Sequence, residues 1–230
     1  MTDLHVLRVG AEKVLTQATA RLVEMQDRPV VATRMGGIPD TPWWADKKLS
    51  GGQIVEQTVH QFDVMRYLMG EPTEVYTMGA RGFVKRDHYD TDDLSNTAIR
   101  FASGALGNMA TGCYATAGAA MDSKLTFSAK DARLDHYIIT RVNIYGDAAV
   151  KGDYGLVVKG DGTLAAGADV VTLRDDGTAG ITCDRTFVDA VLTGDAANIR
   201  SPYADAVKTL AFVLACNQSM EGNQPVKVPQ

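Results

Sequence analysis

The sequence predicts an α+β fold, a large, mostly antiparallel open sheet with helices packed on one face. Three observations predict it. Segments that alternate with a period of two are grouped in the middle of the chain instead of alternating with helices. Helical periodicity is confined to the beginning, one early segment and the end. No G-x-G-x-x-G turn joins a strand to a helix, so no Rossmann domain is expected in this chain. Composition agrees: 230 residues, 45% hydrophobic and 22% charged, describe an ordinary globular protein and exclude disorder or a disulfide scaffold. A net charge of −5 argues against nucleic acid as a partner. No apolar run approaches the about 20 residues of a membrane span, so no membrane partner is expected. The stretch MTDLHVLRVGAEKVL lacks the apolar core of a secretion signal, and the expected location is cytoplasmic. No repeat or boundary divides the chain, which reads as a single domain over 1–230.

The elements follow in order. Val14, Ala18, Leu22 and Met25 recur at helical spacing and predict a first helix. Pro29 to Met35 reads as a strand. A long loop, GGIPDTPWWADKKLSGG, follows, carrying both tryptophans, and loops of this length are often functional. Gln53 to Met69 reads as one helix, apolar on most sides and therefore buried, closed by Gly70 and Pro72. Glu74 to Ala80, Leu94 to Phe101, Ala105 to Tyr114 and Ser123 to Ala129 read as strands, with a tight hairpin at Ala102-Ser103-Gly104. Gly160-Asp161-Gly162 and Asp175-Asp176-Gly177 are further hairpin signals. Asp184 can cap a helix over Arg185 to Thr193 that Gly194 ends. Ser201-Pro202 starts a last helix to about Met220, with Val207, Leu210, Ala211 and Leu214 as its core face and Gly222 as its stop.

Three cysteines, Cys113, Cys183 and Cys216, form no C-x-x-C pair and read as buried free thiols. The informative chemistry lies in Ser50 to Arg66. On a continuous helix, Glu56, His60, Asp63 and Tyr67 fall within about 60° of one another. A polar stripe on a buried helix has two explanations. One makes His60 a general acid/base whose tautomer Glu56 sets. The other is a satisfied buried network that orients the helix. A zinc site of the HExxH type needs two histidines, and Glu56 stands where the first would be, so no metal is expected. The acidic stretch Asp87 to Asp93 lacks EF-hand spacing and reads as a solvated loop. Trp43 and Trp44 either wall a pocket or anchor their loop. Arg34 either touches substrate or is solvated or salt-bridged.

The pattern Trp43-Trp44-Ala-Asp46…Ser50-Gly51-Gly52-Gln-Ile-Val-Glu56-x-x-x-His60-x-x-Asp63-x-x-Arg66-Tyr67-x-x-Gly70-Glu71 resembles the Gfo/Idh/MocA family, in its C-terminal substrate domain. Asp92-Asp93 before a strand, Ser103 to Gly107 and the late helix agree, so the resemblance covers nearly the whole chain. It implies the substrate-binding and oligomerisation domain of an NAD(P)-dependent oxidoreductase acting on a sugar, polyol or related alcohol. Hydride would pass between substrate carbon and nicotinamide. By the same resemblance His60 and Glu56 are catalytic and Asp63 and Arg66 support them; Trp43 and Trp44, by their aromatic faces, and Arg34, by its place near their loop, are candidates for substrate contact. It further implies a homodimer or higher homo-oligomer built through the sheet. The family's Rossmann half and its Glu-Lys-Pro motif are missing from the sequence; Glu12-Lys13-Val14 lacks the proline, and the lysine's role is not carried to Lys13. NAD or NADP is thus implied for a complete two-domain enzyme, with none expected for this chain alone. The alternative is a non-catalytic ligand-binding or self-association module.

Overall fold

Alternation of apolar and polar side chains builds the sheet, and β3 (Leu94–Phe101) shows it most plainly. Ser95, Thr97, Ile99 and Phe101 point inward, while Asn96, Ala98 and Arg100 face solvent. In this computed structural model, residues 29–116, 119–120, 123–128, 132–138, 140–146, 170–174 and 177–230 are described. Their strands are β1 (Pro29–Met35), β2 (Pro72–Ala80), β3, β4 (Leu106–Gly112), β5 (Lys124–Ser128), β6 (Ala132–Tyr137), β7 (Arg141–Gly146), β8 (Val170–Arg174) and β9 (Val226–Lys227). They form one nine-stranded sheet in the order β8-β7-β6-β5-β1-β4-β3-β2-β9. Only the β1–β4 pairing is parallel, setting Val30 beside Gly107 and Ala32 beside Met109; the remaining pairs are antiparallel. The expected α+β class with a mostly antiparallel open sheet is what the chain adopts, and no doubly wound parallel sheet occurs among the described residues.

The helices are α1 (Pro42–Ala45), α2 (Lys47–Ser50), α3 (Gln53–Glu56), α4 (Val59–Met69), α5 (Ala179–Thr193) and α6 (Tyr203–Gly222). α4 and α6 cover one sheet face. Phe62 meets Phe212 edge to face at 4.9 Å, and around them lie Met65, Leu68, Val213 and Cys216 from the helices and Val30, Ile99, Met109, Leu125 and Phe127 from the strands. Each fully buried Phe or Leu contributes about 1.5–3 kcal/mol, so this layer dominates the stability of the fold. The other face leaves Val31, Met78 and Leu106 exposed.

Several expectations are corrected. The segment 53–69 is two helices. Both the Gln57 and Thr58 N–H groups donate to the Gln53 carbonyl (3.0 and 3.2 Å), while the Thr58 hydroxyl donates to the Ile54 carbonyl at 3.0 Å. That competing side-chain bond and the wide turn break the helix at Thr58. The long loop contains α1 and α2, started by Pro42 and by Asp46, whose carboxylate accepts from Lys48 N at 2.9 Å. The helix predicted to start at Asp184 starts at Ala179, so Asp184 lies inside it; Gly194 ends it in the left-handed conformation, as expected. α6 runs through Gly222 and is capped by Asn223 instead. Its core face is also different. Phe212, Val213 and Cys216 are buried, whereas Val207, Leu210 and Leu214 are about half exposed, because this helix is apolar on more than one side and its period selects no face. β6, β7 and β8 were not predicted, and the hairpin signal at Asp175-Asp176 lies outside the described residues. The tight hairpin at 102–104 holds, with Gly104 N donating to the Phe101 carbonyl at 3.0 Å. Cys113 and Cys216 are buried free thiols, but Cys183 is exposed. The predicted first helix and the Gly160 hairpin lie outside the described residues.

Candidate functional site

Gln53 fixes the site. Its side chain is closed off from solvent, donates to Ser95 Oγ at 3.1 Å and accepts from Thr111 Oγ1 at 2.6 Å, pinning α3 to β3 and β4. Ile54 and Thr58 are buried on the same side. α4 continues with Gln61 on Ser123 and with Phe62, Met65 and Leu68 in the core. With those faces taken, Glu56, His60 and Tyr67 turn to solvent. The buried-network explanation for this stripe is therefore wrong for Glu56 and His60. Both are exposed, and neither makes a side-chain hydrogen bond among the described residues. Exposed, unengaged carboxylate and imidazole groups are free to act on a bound molecule.

Asp63 and Arg66 belong to a different arrangement. Arg66 is buried and donates from Nε to Thr209 Oγ1 (3.0 Å), from Nη1 to Glu71 (3.0 Å) and from Nη2 to Asp205 Oδ2 (2.5 Å). Thr209 Oγ1 in turn donates to Asp63 Oδ1 at 2.5 Å. Burial works against the Arg66 charge, but the Asp205 bond and the charges of Glu71, Asp205 and Asp63 outweigh it and raise the Arg66 pKa. Its partner Asp205 is held below the usual carboxylate range by the Arg66 hydrogen bond. This network ties α4 to α6 and sets the tilt of the helix that carries His60.

The two tryptophans have separate fates. Trp44 is 1% exposed and packs against Tyr89 at 6.2 Å, anchoring its loop; Trp43, next to it, is 45% exposed. Arg34, near the end of β1, is half-buried and donates from Nη1 to Gln57 Oε1, with a longer contact to the Gly112 carbonyl at 3.5 Å. Gln57 lies between Glu56 and His60 in the chain, so β1 reaches the α3–α4 junction through this bond. Spacing could not reveal Gln53, Gln57 or Thr209, because their partners are distant in sequence.

The acidic stretch is not wholly solvated. Asp92 and Asp93 are buried. Asp92 pairs with Lys47 (3.2 Å) and Arg81 (2.6 Å), and Asp93 Oδ2 accepts from Phe83 N (2.6 Å) and Val84 N (3.2 Å). Lys47 also meets Glu221 at 3.0 Å, so the Trp-bearing loop is clamped both to the segment just before β3 and to α6. No cluster of three or more metal-ligating side chains occurs among the described residues, and no helix there is long and apolar enough to cross a membrane. The paired positive-φ glycines, Gly51 and Gly52, join two short helices and do not form a strand-to-helix phosphate turn.

Comparison with known proteins places this geometry. Residues 22–148, more than half of the chain, match the description "GFO/IDH/MocA C-terminal domain". Myo-inositol 2-dehydrogenase of Thermotoga maritima is 36% identical over 62 residues, 26% of this chain and 19% of that enzyme. Levoglucosan dehydrogenase in complex with NADH and L-sorbose shares the fold with a TM-score of 0.70 at 19% identity, over 98% of this chain and 64% of that one. The WlbA dehydrogenase of Bordetella pertussis, in complex with NADH and UDP-GlcNAcA, gives 0.64 at 16% identity, over 93% of this chain and 60% of that one. The chain thus spans less than two thirds of these relatives. By its matched domain, its sheet and its helix order, the chain belongs to the Gfo/Idh/MocA family, as a C-terminal domain of that family.

Proposed function

We propose that residues 1–230 form a single substrate-binding and oligomerisation domain of an NAD(P)-dependent oxidoreductase acting on a sugar, polyol or related alcohol. The observation that carries the reading is that Glu56 and His60 are both exposed and without side-chain hydrogen bonds among the described residues, on either side of an α3–α4 junction held by Gln53 and Arg34. His60 would take the proton of the substrate hydroxyl, and Glu56 would orient the imidazole. Trp43 offers an exposed apolar ring for a sugar's C–H face, and Arg34 offers donors for its oxygens. NAD or NADP is proposed for a complete two-domain enzyme. This chain's own contribution would be proton transfer and orientation.

The exposed apolar side chains Val31, Met78 and Leu106 on the uncovered sheet face support self-association there. The test is fusion to a nucleotide-binding half and assay of polyol-dependent NAD(P) reduction. Activity that disappears in His60→Ala supports the enzyme reading. Ligand binding with no turnover in a folded, nucleotide-binding fusion favours the non-catalytic module.

A further inference from the structure

We propose that Arg34 is an anion-recognition residue, so that the ligand at the α3–α4 junction is an acidic or phosphorylated sugar or polyol instead of a neutral one. This rests on the reading of that junction as a substrate site. Cations withdrawn from water are normally paired, because an uncompensated buried charge is costly. The other part-buried cations of the described residues meet either carboxylates or an aromatic ring. Arg66 meets three carboxylates, Lys47 meets two, and Lys124 and Arg141 lie against the Tyr137 ring. Arg34 differs. Among the described residues neither a carboxylate within ion-pair distance nor an aromatic ring meets it, and its contacts are neutral oxygens of Gln57 and Gly112, both through Nη1.

The edge formed by Nε and Nη2 is left without a described partner, and that edge has the planar, two-pronged form that matches a carboxylate or phosphate. A neighbouring glycine keeps the guanidinium uncovered. A Cβ on Gly36 would sit 3.0 Å from both Nη1 and Nη2, so any larger residue there would press on the group. Burial lowers the Arg34 pKa, and the one opposing influence is Cys113. Burial raises that thiol to about 11, so it is neutral at physiological pH and supplies no counter-charge. A bound anion would supply it.

The experiment follows the arginine Nε–Hε resonances of the ¹⁵N-labelled full chain during titration at constant ionic strength. The probes are D-glucuronate, D-glucose 6-phosphate, D-glucose, acetate and inorganic phosphate. The Arg34 signal is assigned by its loss in Arg34→Lys, and Arg66 serves as a paired internal control. A saturable Arg34 shift with either sugar anion, at about tenfold or more lower concentration than any response to D-glucose, supports the proposal. Weakening by a similar factor in a folded Arg34→Lys chain supports it further. The two sugar anions separate a carboxylate from a phosphate ligand. If acetate or inorganic phosphate saturates Arg34 and the sugar anions bind no tighter, the anion site stands and the sugar reading falls. If D-glucose shifts the His60 ring signals while no anion moves Arg34, the sugar reading stands and the proposal is overturned. Indifference of Arg34 to every probe also overturns it.

Discussion

The hydroxyl of Thr111 donates a 2.6 Å hydrogen bond to Oε1 of Gln53, across 58 residues of sequence and in a site closed to water. The same amide donates to Ser95, so one side chain satisfies two strands and is itself satisfied. Replacing Gln53 by Leu keeps the volume but strands the Ser95 and Thr111 hydroxyls. A loss of about 1–3 kcal/mol is expected, read as a lower urea midpoint with an unchanged slope. Because Gln53 also seats α3, any activity of the fusion enzyme should fall further than the folded fraction does.

The Arg66–Asp205 pair predicts a pH dependence. The folded-state pKa of Asp205 is depressed by the Arg66 hydrogen bond, so its contribution to stability is present above the unfolded carboxylate value of about 4 and is lost as pH falls through the folded value. Asp205→Asn should therefore be less stable than the parent at pH 7 and approach it in the acid range. Urea midpoints of both proteins from pH 7 to 3 check this. A difference that stays constant across that range would show that the carboxylate charge is irrelevant.

How much of this was legible depends on whether the signal was local. β1 and β3 could be read because their alternation records a sheet with one buried face. β6 and β7 could not. Arg133 and Arg141 interrupt the apolar pattern and lie over Tyr145 and Tyr137 at 3.8 and 3.7 Å, while Asp135 is buried on a hydrogen bond from Thr126. The candidates Glu56 and His60 are picked out by helical spacing, but the break at Thr58 puts them on two helices, and their exposure follows from Gln53 and its partners on β3 and β4. In the same way Arg34 looked solvated or salt-bridged, since nothing in sequence links it to Gln57.

Gly52 holds φ 86 and ψ 171, a conformation essentially reserved for glycine, directly after Gly51 at φ 77. Gly52→Ala should cost about 1–3 kcal/mol from backbone strain alone. The same change at Gly70, whose φ is 85 and ψ −171 and whose added Cβ would meet nothing within 4 Å, should cost a similar amount. Melting temperatures of the two variants check the claim; an unchanged value for Gly52→Ala would mean that the turn relaxes.

The thiols separate by burial. Cys183 is exposed, whereas Cys113 and Cys216 are buried and burial raises them to about 11 and about 12. With the thiolate as the reacting species, an aromatic disulfide reagent at pH 8 should modify Cys183 fast and the other two only on unfolding. Mass spectrometry of the partly labelled chain identifies the site. Rapid native labelling of Cys113 would show that the Arg34–Cys113 region opens.

The last prediction separates catalysis from folding at His60 and Glu56. Both side chains are exposed and without described hydrogen bonds, so His60→Ala and Glu56→Gln should leave the melting temperature within a degree or two, as surface changes of about 0.5 kcal/mol or less do. In the fusion enzyme, His60→Ala should lower kcat by about a hundredfold or more, because a positioned general base is typically worth that much. Glu56→Gln should have a smaller effect, since it keeps a hydrogen-bonding group while losing charge. Arg66→Ala is the contrasting variant. It removes the donor to Asp205 and to the Thr209 hydroxyl and one of two cations on Glu71, so it should lower stability by about 1–3 kcal/mol, moderated by the partial exposure of the carboxylates, and reduce activity chiefly through the folded fraction. Melting and turnover measured on the same preparations distinguish the two patterns. If His60→Ala retained full turnover in a stable fusion, proton transfer would have to be assigned to another group.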